Sequence, residues 1–143
     1  MFHIRDVLNN IDQFFGGADD RSSLRLIALI HDTFKYQVIG REPGAHMQSH
    51  GYFARRFAER YINDQAILEV IELHDEAYKA SLLIIWYRNP EAAERRAREL
   101  IIKLGNRIDL FMHFYFCDHL TGDKSTVHYH WFQSIVRAVR RSA

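Results

Sequence analysis

Six residues of two chemical kinds, His3, His31, Asp32, His50, His74 and Asp118, stand where the surrounding apolar pattern points inward. His31 and Asp32 follow the run Leu24, Leu26, Ile27, Ala28, Leu29, Ile30, so a helix apolar on nearly all sides delivers two polar side chains to its buried end. His50 opens a stripe that continues through Phe53 and Phe57, His74 closes the stripe Ile67, Val70, Ile71, and His3 borders the stripe of Val7. Asp118 ends the line Leu104, Ile108, Phe111, Tyr115. A buried carboxylate is costly unless it is paired or coordinates a metal, and one cation between Asp32 and Asp118 would answer for both. Imidazole nitrogen with carboxylate oxygen is the donor mixture of Mn, Fe, Co, Ni or Zn. Taken singly, each histidine reads first as an ordinary core or boundary residue. Six sites on five helices make convergence on a metal the more economical reading.

The elements that must position these residues are helices. Ile4, Val7, Leu8 and Ile11 give a first amphipathic helix that Gly16-Gly17 stops. Ser22 or Ser23 is the expected cap of the second, which runs into His31-Asp32. A loop marked by Gly40, Pro43 and Gly44 precedes a third helix beginning near Ser49, with Phe53, Phe57 and Tyr61 on its apolar side and Arg55, Arg56, Glu59 and Arg60 opposite. Asn63 or Asp64 caps the fourth helix, and Leu82 to Trp86 supply the apolar part of a fifth. Asn89-Pro90 starts a long sixth helix that is expected to reach Asp118. After Thr121-Gly122-Asp123, Trp131, Ile135 and Val139 mark a terminal helix over about residues 127–141. No β alternation, repeat or linker interrupts the pattern, so the fold class is all-α, one domain over 1–143 with about six to seven helices.

Composition removes several classes of function. Nineteen basic against 18 acidic residues leave a formal charge of +1, which implies no polyelectrolyte partner. Arg95, Arg96 and Arg98 alternate with Glu91, Glu94 and Glu99 as a solvated face, and Arg137, Arg140 and Arg141 read as complements of a helix C-terminus before a phosphate patch. With 48% apolar residues the chain is too hydrophobic for disorder, and it has no 18-residue uncharged run that spans a bilayer. A single cysteine, Cys117, excludes an internal disulfide and favours a reducing, cytoplasmic setting. The first residues lack the apolar core and cleavage site of a signal peptide.

The order His3, His31-Asp32, His50, His74, Asp118 resembles the HD superfamily of metal-dependent phosphohydrolases. The strings HIRDVLNNID, LRLIALIHDTFK, HMQSHGYFARRFAERY and LGNRIDLFMHFYFCDHLTGD narrow the resemblance to the HD domain of bacterial tRNA nucleotidyltransferases, over roughly residues 2–123. The resemblance implies that His31, Asp32 and Asp118 are the core metal ligands, with His3 completing a single-ion site for Mn, Fe, Co, Ni, Mg or Zn. It implies that His50 and His74 contact phosphate or hold a second ion; a single ion is favoured because no carboxylate beyond Asp32 is available to bridge. Lys35 matches the lysine after His-Asp in many members, and as i+4 from His31 it is expected on the same helix face, within reach of a phosphate oxygen or else solvated. Phe34 stands where such domains usually carry glycine, which narrows the space above the metal. No residues match a nucleotidyltransferase half, so addition of CCA is not expected of these 143.

The function implied is hydrolysis of a phosphomonoester or phosphodiester of a nucleotide. The metal would activate water, and Lys35, His50 and His74 would neutralise phosphoryl charge. The partner is a small phosphate ester or nucleotide, with an RNA end as a further candidate and no membrane. Two other readings fit the same residues: an HD-fold nucleotide-binding or accessory module without turnover, and a helical interaction domain whose histidines are simply buried. His46 is read as shaping substrate access, Asp75 as a helix cap, and His113, His119, His128 and His130 as surface or boundary residues.

Overall fold

The computed structural model describes residues 2–38 and 48–143. It is all-α: among the described residues there are eight α-helices and no strand. The helices are α1 (Phe2–Phe15), α2 (Arg21–Ile30), α3 (His50–Ala58), α4 (Gln65–Leu73), α5 (Glu76–Ile85), α6 (Pro90–Leu104), α7 (Ile108–His119) and α8 (Val127–Ser142). They group into two compact units, Met1–His74 and Asp75–Ala143. The loop expected around Gly40, Pro43 and Gly44, and with it His46, lies outside the described residues. No helix among the described residues is long and apolar enough to cross a membrane.

In the first unit α1 packs on α2, α2 on α4 and α4 on α3. Val7 and Ile11 of α1 and Leu24, Ile27 and Ala28 of α2 are wholly buried, and each such Val, Leu or Ile is worth about 1.5–3 kcal/mol of hydrophobic stabilisation. At the rim Arg21 and Arg25 donate to the two oxygens of Asp12 at 2.8 and 2.7 Å, tying α2 to α1. The helix starts follow local chemistry. Ser49 Oγ accepts from Tyr52 N at the head of α3, and Asp64 accepts from Ala66 N at the head of α4. Helix α2 begins earlier than expected, at Arg21, so Ser22 and Ser23 lie in its first turn rather than at its cap.

The inward face of α3 also differs from the expected one. Its buried residues are His50, Gly51, Ala54 and Ala58, whereas Phe57 is 39% and Tyr61 75% exposed. Small residues let α3 lie close to α4, and the aromatic rings are displaced to its flank.

In the second unit α5 packs on α6 and α8, and α8 on α6 and α7. The buried face of α5 is Ala77, Ala80 and Ser81, not the apolar run Leu82 to Trp86, and Trp86 is exposed. Ala93 and Ala97 form the matching small face of α6, below Asn89, whose side chain accepts from Ala92 N, and Pro90. The expected single helix to Asp118 is two helices. Gly105 takes φ +54°, a conformation that side chains disfavour. A 3-10 turn over Gly105–Arg107 then redirects the chain into α7. Phe111 and Tyr115 of α7 pack on Phe132 of α8, with ring centroids 5.9 and 6.1 Å apart. The buried stripe of α8 is accordingly His128, Tyr129, Phe132 and Val136, one residue out of step with the expected Trp131, Ile135, Val139.

Candidate metal centre

Helices α2 and α4 end alike. His31 is the C-cap of α2 and His74 the C-cap of α4, so each imidazole sits where a helix has unsatisfied carbonyls and partial negative charge. In both, Nδ1 meets the carbonyl three residues back: His31 Nδ1 is 2.9 Å from Ala28 O and His74 Nδ1 2.7 Å from Ile71 O. A carbonyl can only accept, so Nδ1 carries the hydrogen, and in the neutral ring Nε2 then presents a lone pair. Both Nε2 atoms face Asp32, that of His31 at 3.5 Å from Oδ2 and that of His74 at 3.5 Å from Oδ1. A lone pair facing a carboxylate is repulsive unless a proton or a metal ion lies between them.

His50 completes the cluster, with Nε2 2.9 Å from His74 Nε2 and 3.3 Å from Asp32 Oδ1. Because His74 Nε2 is an acceptor, His50 Nε2–H is the donor of the pair. The local fold that permits this is Gly51. A Cβ there would collide with the carbonyl of Glu72 and crowd that of Ile71, so only glycine lets the first turn of α3 rest on the last turn of α4. Arg55 donates to Glu72 at 2.5 Å and clamps the same contact. His3, on the first turn of α1, reaches Asp32 Oδ2 at 3.8 Å and lies 5.8 Å from the His31 ring.

Asp32 is thus surrounded by imidazoles. Burial raises its carboxyl pKa, but when the surrounding rings are protonated the hydrogen bonds from His50 and His74 and the charges of His31 and His74 outweigh burial and hold it well below the usual carboxylate range. Lys35 Nζ donates to Asp32 Oδ2 at 3.0 Å. Lys35 does not share a helix face with His31, because α2 stops at Ile30 and Lys35 opens a 3-10 turn. It reaches the site from the i+3 position, with its side chain 52% exposed.

His31, Asp32 and His74 each offer a ligand atom, all within 4.8 Å of one another. The donor set fits a divalent first-row ion: two imidazoles held in the ligating tautomer by backbone carbonyls, and a carboxylate that stays ionised. A family model described as HD domain matches residues 2–109. The chain belongs to the HD domain family. Comparison with curated proteins and with solved structures gives no match. The HD match contains His3, His31, Asp32, Lys35, His50 and His74, and ends before Asp118.

Asp118 belongs to the second unit. It is 4% exposed on α7, and its Oδ2 accepts from Lys124 Nζ at 3.1 Å. Sequence patterning did not find Lys124, Gly51, or the pinned tautomers. A glycine directly after His50, at the start of a helix, was the available signal for Gly51. Among the other histidines of this HD protein, His113 is half-buried and His130 exposed, as expected, but His119 and His128 are buried. Ser81 donates to Tyr78 O and lies 2.6 Å from His128 Nδ1, which occupies a core position rather than the surface. Asp75 stands at the N-cap of α5 without a side-chain capping bond.

Proposed function

We propose that this chain is a metal-dependent phosphohydrolase acting on a phosphate ester of a nucleotide. The observation that carries the reading is the convergence of the His31 and His74 Nε2 lone pairs on the carboxylate of Asp32, in a member of the HD domain family. The proposed ligands are His31 and Asp32, with His3 and Asp118 as the sequence order has them. The pinned tautomer of His74 adds it to that set and leaves His50 and Lys35 for the substrate. A divalent ion there supplies Lewis-acid polarisation of the phosphoryl group and a water acidified toward neutrality.

The chain's own groups supply the rest. In this reading Lys35 Nζ, half-exposed beside Asp32, exchanges its ion pair for a phosphate oxygen, and His50 Nε2–H donates to a second one. Aligned donors of this kind are worth most where charge builds up in the transition state. The sequence likeness to the HD domain of bacterial tRNA nucleotidyltransferases adds an RNA 3′ end as a substrate form, in a cytoplasmic setting. A screen of phosphomonoesters and phosphodiesters with Mn, Co, Ni, Mg and Zn tests the reading. Turnover that needs an added ion and is lost in Asp32→Asn supports it. Metal binding without turnover of any ester would instead assign the chain to the nucleotide-binding modules.

A further inference from the structure

The first unit carries a groove of about 220 Å³ lined by Phe34, Gln37, Phe53, Arg56, Phe57 and Arg60. Phe34 lies two residues after Asp32 and directly before Lys35, so one wall of the groove is continuous in the chain with the candidate metal centre. The Phe34 and Phe57 rings are 5.7 Å apart and tilted by 53°. Phe57 stays 39% exposed because α3 turns its small residues to the core. Among the described residues Arg60 has no ion-pair partner, and Arg56 pairs only with Glu59, the C-cap of its own helix. Gln37 Nε2 donates to the Tyr36 hydroxyl at 3.1 Å, which leaves its Oε1 as an acceptor at the groove.

An exposed Phe57 beside a half-buried Phe34, two guanidinium groups and one amide acceptor match a flat heterocycle joined to an anion. Aromatic faces and guanidinium planes stack on bases without requiring one sequence, and an amide carbonyl accepts from an exocyclic amine. The groove is smaller than the ~300–1,000 Å³ of pockets that enclose drug-sized ligands. It therefore has room for one ring system.

We propose that this groove is the base subsite of the enzyme, stacking the base of a mononucleotide on Phe34 and Phe57 while its phosphate lies toward Lys35 and Asp32. The proposal rests on the phosphohydrolase reading above for the phosphate end only. Phe34 is then a specificity residue and not an obstruction over the metal.

The test is calorimetric titration of the full chain with AMP, ribose 5-phosphate and adenosine, for the native protein, Phe57→Ala and Phe57→Tyr. AMP is expected to bind roughly tenfold or more tightly than ribose 5-phosphate, the usual scale of one stacked base. Phe57→Ala should abolish that advantage with ribose 5-phosphate binding unchanged, and Phe57→Tyr should keep it. Equal affinity for AMP and ribose 5-phosphate in the native protein, or equal weakening of both by Phe57→Ala, would overturn the proposal. Adenosine separates the two readings. Binding of adenosine that depends on Phe57 supports the subsite even if no ester is hydrolysed; ester hydrolysis that ignores the base, with no adenosine binding, removes the subsite and leaves the hydrolase.

Discussion

His50 Nε2 lies 2.9 Å from His74 Nε2, across 24 residues of sequence, and the contact exists because Gly51 has no side chain. Gly51→Ala puts a methyl group against the α4 backbone at Glu72 and Ile71, and backbone there cannot rotate out of the way as a flexible side chain can. The expected cost is about 1–3 kcal/mol, the range for overpacking a close-packed site. Thermal melting should show the loss, and metal titration should show weaker binding as His50 and His74 separate. An unchanged melting temperature with unchanged affinity would show that α3 and α4 do not need the close approach.

Lys35 and Asp32 form an ion pair but differ in what they do. Lys35 is half-exposed, so Lys35→Ala should alter stability by less than about 1 kcal/mol. On a phosphate ester at saturating metal its kcat should fall about a hundred- to a thousandfold, the effect of one lost donor to a charged oxygen. Asp32→Asn and Asp118→Asn should cost more, because both are proposed ligands and a ligand sets both occupancy and water activation. Steady-state kinetics in metal-saturated buffer decides it, and comparable losses in all three variants contradict the assignment of roles.

His119 and His128 make the second unit acid-sensitive. Burial, followed by the positive charge of Lys124, lowers His119 to about 4 and also lowers His128. The unfolded chain takes up these protons near the ordinary histidine value of about 6.5 and the folded chain does not. Stability is therefore full above about 6.5 and falls as the pH drops toward about 4, by on the order of 3 kcal/mol for His119. Melting curves should show a smaller drop between pH 7 and pH 5 in His119→Gln than in the native chain. An equal drop in the two proteins would assign the acid sensitivity elsewhere.

Much of this architecture can be read from the chain, and the misses have physical causes. Ser49, Asp64 and Asn89-Pro90 mark helix starts by capping chemistry that acts within three residues, and each is found where the local pattern puts it. The break at Gly105 was missed because α6 and α7 keep nearly one apolar period, so only the glycine's positive φ betrays the turn. The aromatic residues of α3 mislead hydrophobic patterning because close packing against α4 favours Gly51, Ala54 and Ala58 over larger apolar side chains. Spacing and resemblance brought His31, Asp32, His50 and His74 to attention, but could not show that His74 is oriented like His31. That equivalence depends on Ile71 O and Ala28 O, backbone atoms whose position only the fold determines.

Titration of the chelator-treated chain with Mn or Co, followed by elemental analysis of the saturated protein, tests the metal centre most directly. One ion per chain is predicted, with affinity falling in acid as the imidazoles protonate, and with binding lost in Asp32→Asn and strongly weakened in His74→Ala. Failure of the native chain to retain any of Mn, Fe, Co, Ni or Zn, or retention undiminished in Asp32→Asn, would contradict the account.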